Sequence, residues 1–105
     1  MSRPVFFEPE ASAEFQEAAL WYEAQRPGLG LAFLAAVDRT VEHLSAWPET
    51  GTVVPGVSGT LSVRTLTVSR FPYYLAYVVA GDTIRVLAVA HERRRPGYWK
   101  PRTKP

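Results

Sequence analysis

The 105-residue chain predicts an α+β domain of βααβββ order, a two-helix hairpin packed on a mostly antiparallel sheet. Three observations carry that prediction. A short β-type run precedes two stretches with helical spacing of apolar residues. A glycine- and proline-rich segment follows them. Three further β-type runs then close the sequence. Amphipathic helices laid on one face of such a sheet bury the apolar sides of both layers, which leaves the other face available.

The elements follow in order. Val5-Phe6-Phe7 is the first strand. Glu8-Pro9-Glu10 ends it, with proline suited to a first helical turn and carboxylates suited to a helix N-terminus. Over residues 11–25, Ala11, Phe15, Ala18, Ala19 and Tyr22 recur at helical spacing, with Glu14, Glu17 and Glu23 between them, so this helix has a core face and an acidic face. Arg26-Pro27-Gly28 stops it. After Gly30 a second stretch places Leu34, Val37, Val41 and Leu44 on one stripe until Trp47-Pro48. The short connection implies an antiparallel helix hairpin. Residues 48–60 read as a surface loop. Residues 61–68, 73–79 and 83–90 read as strands, the last two joined by a tight turn at Ala80-Gly81-Asp82. Trp21, Tyr22 and Trp47, large aromatics on or beside helices, are expected in the core.

Composition narrows the chemistry. A chain of this length forms one domain, residues 1–105, and 47% apolar residues with 12% aromatics suffice for one core. There is no cysteine, which removes disulfides and thiolate nucleophiles and fits a reducing cytosol. The N-terminal apolar run is too short for a signal-peptide core. No stretch approaches the roughly 20 apolar residues of a membrane span. The reading is therefore a soluble cytoplasmic protein with no membrane association. Charge is segregated: residues 1–90 carry six basic and nine acidic side chains, and residues 91–105 carry six basic and one acidic. A cationic end on an acidic body favours an anionic partner. Pro101, Pro105 and the cations between them point to a loose basic tail over residues 100–105.

The order of elements, with Trp21-Tyr22 in the first helix, Arg70-Phe71-Pro72-Tyr73 before the middle strand, and Val86-Leu87-Ala88-Val89-Ala90-His91 leading into an arginine cluster, resembles the RelE/ParE toxin superfamily over nearly the whole chain. The resemblance implies a growth-inhibiting toxin of a type II toxin-antitoxin system, of the plasmid-stabilisation type, partnered with a cognate antitoxin in a hetero-oligomer. It implies two activities on one fold. ParE-like members bind and poison DNA gyrase; RelE-like members cleave mRNA in the ribosome. An inactive relic that keeps only antitoxin binding is a third reading.

Metal-free RNA cleavage needs a proton-transfer group and cations for the phosphate. His91 and Arg85 are the candidates for a nuclease, because strand alternation from Arg85 through Leu87 and Val89 puts both on one face. For target or phosphate binding the candidates are Arg64, Arg70, Arg93, Arg94, Arg95, Tyr98 and Trp99, with guanidinium groups suited to phosphate and aromatics suited to stacking or anchoring. Trp99 has a competing role as a cover for the core edge. His43 has no metal-ligand spacing to His91 and reads as surface. No metal site, phosphate-cradling glycine loop or cofactor motif is present in the sequence. The segment from Pro48 to Val63 has no lysine or arginine, whereas the nuclease members carry basic residues there. The reading therefore favours a ParE-like inhibitor that works by binding, with the nuclease as the alternative.

Overall fold

A computed structural model describes residues 2–57 and 62–103. Strand β1 (Val5–Phe7) leads into helices α1 (Pro9–Gln25) and α2 (Leu29–Ala46), followed by strands β2 (Thr52–Val53), β3 (Val63–Thr67), β4 (Tyr73–Ala80) and β5 (Thr83–His91) and a short 3-10 turn, Lys100–Thr103. The sheet order is β1-β5-β4-β3-β2. β1 runs parallel to β5 and every other pairing is antiparallel, so the α+β class and the helix hairpin on a mostly antiparallel sheet are as the sequence predicts. No helix among the described residues is long and apolar enough to cross a membrane.

The hairpin owes its tightness to two features of its short turn. Gly28 takes a positive φ of 89° at the start of α2, a conformation that costs an L side chain about 1–2 kcal/mol. It offers no capping side chain, and the Glu23 carboxylate of α1 accepts the amides of Gly28 and Gly30 instead, at 3.1 and 3.0 Å. One helix thus satisfies the unpaired amides of the next. At Gly30 a Cβ would stand 2.7 Å from the Ala19 carbonyl, so the helices cross where the chain has no side chain.

The core between helices and sheet takes Ala11 and Ala18 from α1, Phe33, Ala36, Val37 and Leu44 from α2, and Leu75, Tyr77, Ile84, Val86 and Val89 from the sheet. Phe15, Ala19, Tyr22 and Val41 pack against it, partly buried. Phe33 lies 5.2 Å from Tyr22 and 5.1 Å from both Phe71 and Tyr73, ring centre to ring centre. Such aromatic pairs add about 0.5–1.5 kcal/mol each beyond the area they bury.

Four expectations are corrected. Trp21 and Trp47 are not core residues: they are 59% and 66% exposed. Neighbours on a helix point about 100° apart, and Tyr22 takes the inward direction at that level; Trp47 caps α2 beyond its last inward turn. The outer face of the sheet is not free, because Trp99, with Val54, Val57, Tyr74 and Tyr98, covers Val63, Ala76, Val78, Leu87, Ala88 and Ala90 there. The loop expected over residues 48–60 contains β2, paired with β3 through Thr52 and Thr65. Its entry is pinned by the Tyr77 hydroxyl, which donates to the Pro48 carbonyl at 2.8 Å and accepts the Gly51 amide at 3.0 Å. Finally, residues 100–103 are not loose; they form the closing 3-10 turn. Residues 58–61, part of the expected loop and of the strand expected over residues 61–68, and residues 104–105 lie outside the described residues.

Candidate partner-binding surface at the C-terminal end of the sheet

The site is built by an irregularity in β5. Ala76 pairs with Ala88, yet Tyr77 pairs with Val86, so Leu87 is an extra residue, a β-bulge. A bulge inverts the alternation that follows it. Before it, Ile84 and Val86 face the helices; after it, Val89 does, while Leu87, Ala88 and Ala90 face outward. Arg85 and His91, expected on one face, therefore lie on opposite faces. Arg85 points outward opposite Phe6 of β1 and its Nε donates to Glu8 at 2.6 Å. His91 turns to the helix side, where its ring meets Tyr73 edge-on at 5.0 Å and its Nδ1 accepts the Arg93 amide at 3.0 Å.

Past Val86 the β1 side of β5 has no strand partner. Two side chains replace one: Val89 donates its amide to Glu14 Oε1 at 3.1 Å, and the Leu87 carbonyl accepts Arg102 at 3.0 Å. Glu14 is 13% exposed and gathers the end of the chain around it. It accepts the Tyr98 hydroxyl at 2.6 Å, Arg94 at 3.2 Å and both terminal nitrogens of Arg102 at 2.9 and 3.2 Å. The Arg94 guanidinium lies 3.6 Å over the Tyr98 ring, a cation–π arrangement. Burial, and then the proton held toward the Glu14 carboxylate, pushes the Tyr98 hydroxyl above its ordinary pKa. For Arg102 burial opposes the charge, but Glu14 outweighs it and the pKa is raised. Arg102 thereby ties the closing turn to α1 and to the edge of β5.

The sequence-derived contact residues divide accordingly. Arg93, Arg94 and Arg95 are exposed at the end of β5. Arg70 is exposed in the β3–β4 turn at the same end, since Tyr73 pairs with His91 and the Glu92 amide donates to Pro72; it holds an unusual positive φ of 72°. Arg64 is internally engaged, donating to the carbonyls of Glu49 and Gly51 at 3.1 and 2.8 Å. Trp99 is only 2% exposed, with its indole N–H on the Tyr74 hydroxyl at 3.1 Å, so it belongs to the core and not to the surface. Tyr98 is half-buried as the platform for Arg94. The geometry adds Glu14 and Arg102 to the site; the sequence placed Glu14 on an acidic helix face and gave no sign of its long-range partners. Between α1 and the end of β5 lies an open hollow of about 300 Å³, lined by Glu17, Trp21, Tyr73, His91 and Arg94 among others.

The family model for the ParE toxin of type II toxin-antitoxin systems, parDE, matches residues 5–96. The chain belongs to the ParE toxin family. A solved structure, the chromosomal ParDE TA system from P. aeruginosa, matches with a TM-score of 0.68 at 24% identity, over 86% of this chain and 96% of that one. At that identity the likeness establishes a shared ParE-type fold. No curated protein matches the chain. Membership makes this a toxin of the RelE/ParE superfamily, and the match ends at residue 96, just before the Tyr98–Arg102 segment that Glu14 holds.

Proposed function

We propose that this chain is a cytoplasmic growth inhibitor that acts by binding DNA gyrase through its cationic end, and that a cognate antitoxin neutralises it. One observation carries the reading: exposed Arg93 and Arg95, without a side-chain acceptor among the described residues, flank Arg94, which Glu14 and the Tyr98 ring hold. A guanidinium held in place among other exposed cations meets an acidic or phosphate-bearing partner at a lower ordering cost than a free one. Such an inhibitor needs anchors and shape rather than a proton-transfer pair. Exposed Leu20, Trp21 and Leu31 on the helix hairpin offer apolar area to an antitoxin segment that folds as it binds.

The mRNA-nuclease alternative is weakened by the separation of Arg85 from His91 and by the engagement of Arg64 with backbone carbonyls. It retains His91 near Arg93 and Arg94. The deciding experiment induces the chain without antitoxin and follows growth, DNA breakage and transcript integrity together, alongside supercoiling by purified gyrase. The expected result is growth arrest with gyrase-dependent DNA damage. Codon-position mRNA cleavage would transfer the function to the nuclease reading, and unimpaired growth would leave antitoxin binding alone.

A further inference from the structure

We infer that Glu14 is a positioning residue for the toxin's effector surface, acting through Arg94; this rests on the assignment of the cationic end as the part that meets the target. A glutamate in the second turn of an amphipathic helix ordinarily faces water and is worth little. This one is largely buried and lies at the junction of three segments distant in sequence. Its Oε1 takes the β5 edge through the Val89 amide and takes Arg102. Its Oε2 takes Tyr98, Arg94 and the second terminal nitrogen of Arg102.

The carboxylate therefore has two tasks. Through the Val89 amide on Oε1, and through Arg102 on both oxygens, it finishes the sheet edge and ties down the closing turn, which is structural. Oε2 sets the Tyr98 ring and holds Arg94 on it. Arg94 side-chain exposure is 54%, so it remains open to a partner while its guanidinium plane is fixed on both sides, by a carboxylate and by a ring. Lysine in its place would keep the charge and lose the plane. Arg93 and Arg95 flank it without a side-chain acceptor among the described contacts, so the stance of Arg94 is the one that Glu14 sets. Neutralising Glu14 unlocks Arg94 and raises the ordering cost of binding, while the core under Trp99 stays closed.

The test uses the full chain and its Glu14→Gln, Arg94→Ala and double variants, with Glu17→Gln as the control on the same helix. The Gln side chain keeps an oxygen for the Val89 amide and removes the charge. Toxicity is read as the inducer dose that halves growth rate, and fold is read from near-ultraviolet circular dichroism and the thermal midpoint. Glu14→Gln is expected to need at least about tenfold more inducer, Arg94→Ala a similar amount, and the double variant no more than the worse single, since residues acting through one another are non-additive. Independent, multiplying losses would overturn the proposal, as would wild-type toxicity in Glu14→Gln. Should the unmodified chain prove non-toxic, the functional reading fails by itself, and the inference is judged on the Arg94 terminal guanidinium (Nη1–H) resonance: sharp and slowly exchanging in the wild type and averaged in Glu14→Gln supports it, whereas no difference overturns it. If Glu14→Gln does not fold, Tyr98→Phe, which keeps the ring and removes the hydroxyl that orients Oε2, is read on the same resonance.

Discussion

The arginines of the sheet and those beyond it differ in what surrounds them rather than in kind. Arg64 and Arg85 lie within strands and find partners inside the fold: two loop carbonyls for the first, Glu8 for the second. Arg93 and Arg95 follow the last strand, where the chain turns away from the sheet and no side-chain acceptor is within reach among the described contacts. Arg94 and Arg102 stand between these cases, one half-exposed and one mostly buried on the same carboxylate. A guanidinium is therefore a fastener or a contact according to the acceptors around it, and a count of cations does not distinguish the two.

That contrast predicts a graded series. The largest stability effect should come from Trp99→Ala, which opens the outer core and should cost about 3–5 kcal/mol, as for other buried tryptophans, measured by denaturant unfolding. Arg93→Ala with Arg95→Ala should reduce toxicity or gyrase inhibition at least about tenfold while the thermal midpoint stays put; a parallel fall in both would erase the distinction between contact and fastener. Arg64→Ala should show the opposite pattern, losing about 1–2 kcal/mol of stability with its charged hydrogen bonds to the loop and keeping its inhibition per folded molecule. Arg70→Gly should stabilise by up to about 1 kcal/mol, since glycine accepts the positive φ without strain, and any loss of toxicity in that more stable protein assigns Arg70 to the contact surface. The smallest change is a pH effect. The Tyr98 pKa is raised in the fold, so its contribution is complete below the unfolded value of 10.0 and is lost as pH rises beyond it. Alkaline unfolding curves of Tyr98→Phe should accordingly fall less steeply above that pH than those of the wild type.

The fold was legible because its elements announce themselves locally. Pro9 marks a helix start and Arg26-Pro27-Gly28 a helix stop, and residues 73–79 and 83–90 are apolar β-type runs about a tight turn. What failed to show depends on contacts remote in sequence. The burial of Trp99 rests on Tyr74 and the outer faces of β4 and β5, and Glu14 meets partners more than seventy residues away. Trp21 beside Tyr22 is a local ambiguity, two aromatics competing for one inward direction, and periodicity alone weights them alike. For the site, sequence proposed Arg93–Arg95 as a contact surface, and these side chains are exposed in the structure, but it placed Arg85 with His91 because an unbroken alternation was assumed across Leu87.

That single extra residue sets a rule for how the chain tolerates change. In an unbulged strand, removing one residue turns over everything downstream; here the strand already contains one such inversion. Deleting Leu87 would remove the bulge and make Val86 and Ala88 neighbours in an unbroken alternation, so Val89 and His91 would keep the helix side they now face. Exchanging Leu87 for another apolar residue of similar size should leave all of these in place. Relatives that align with a one-residue gap at Leu87 should therefore present their terminal strand residues to the same sides of the protein, whereas a gap elsewhere in β5 should turn them over.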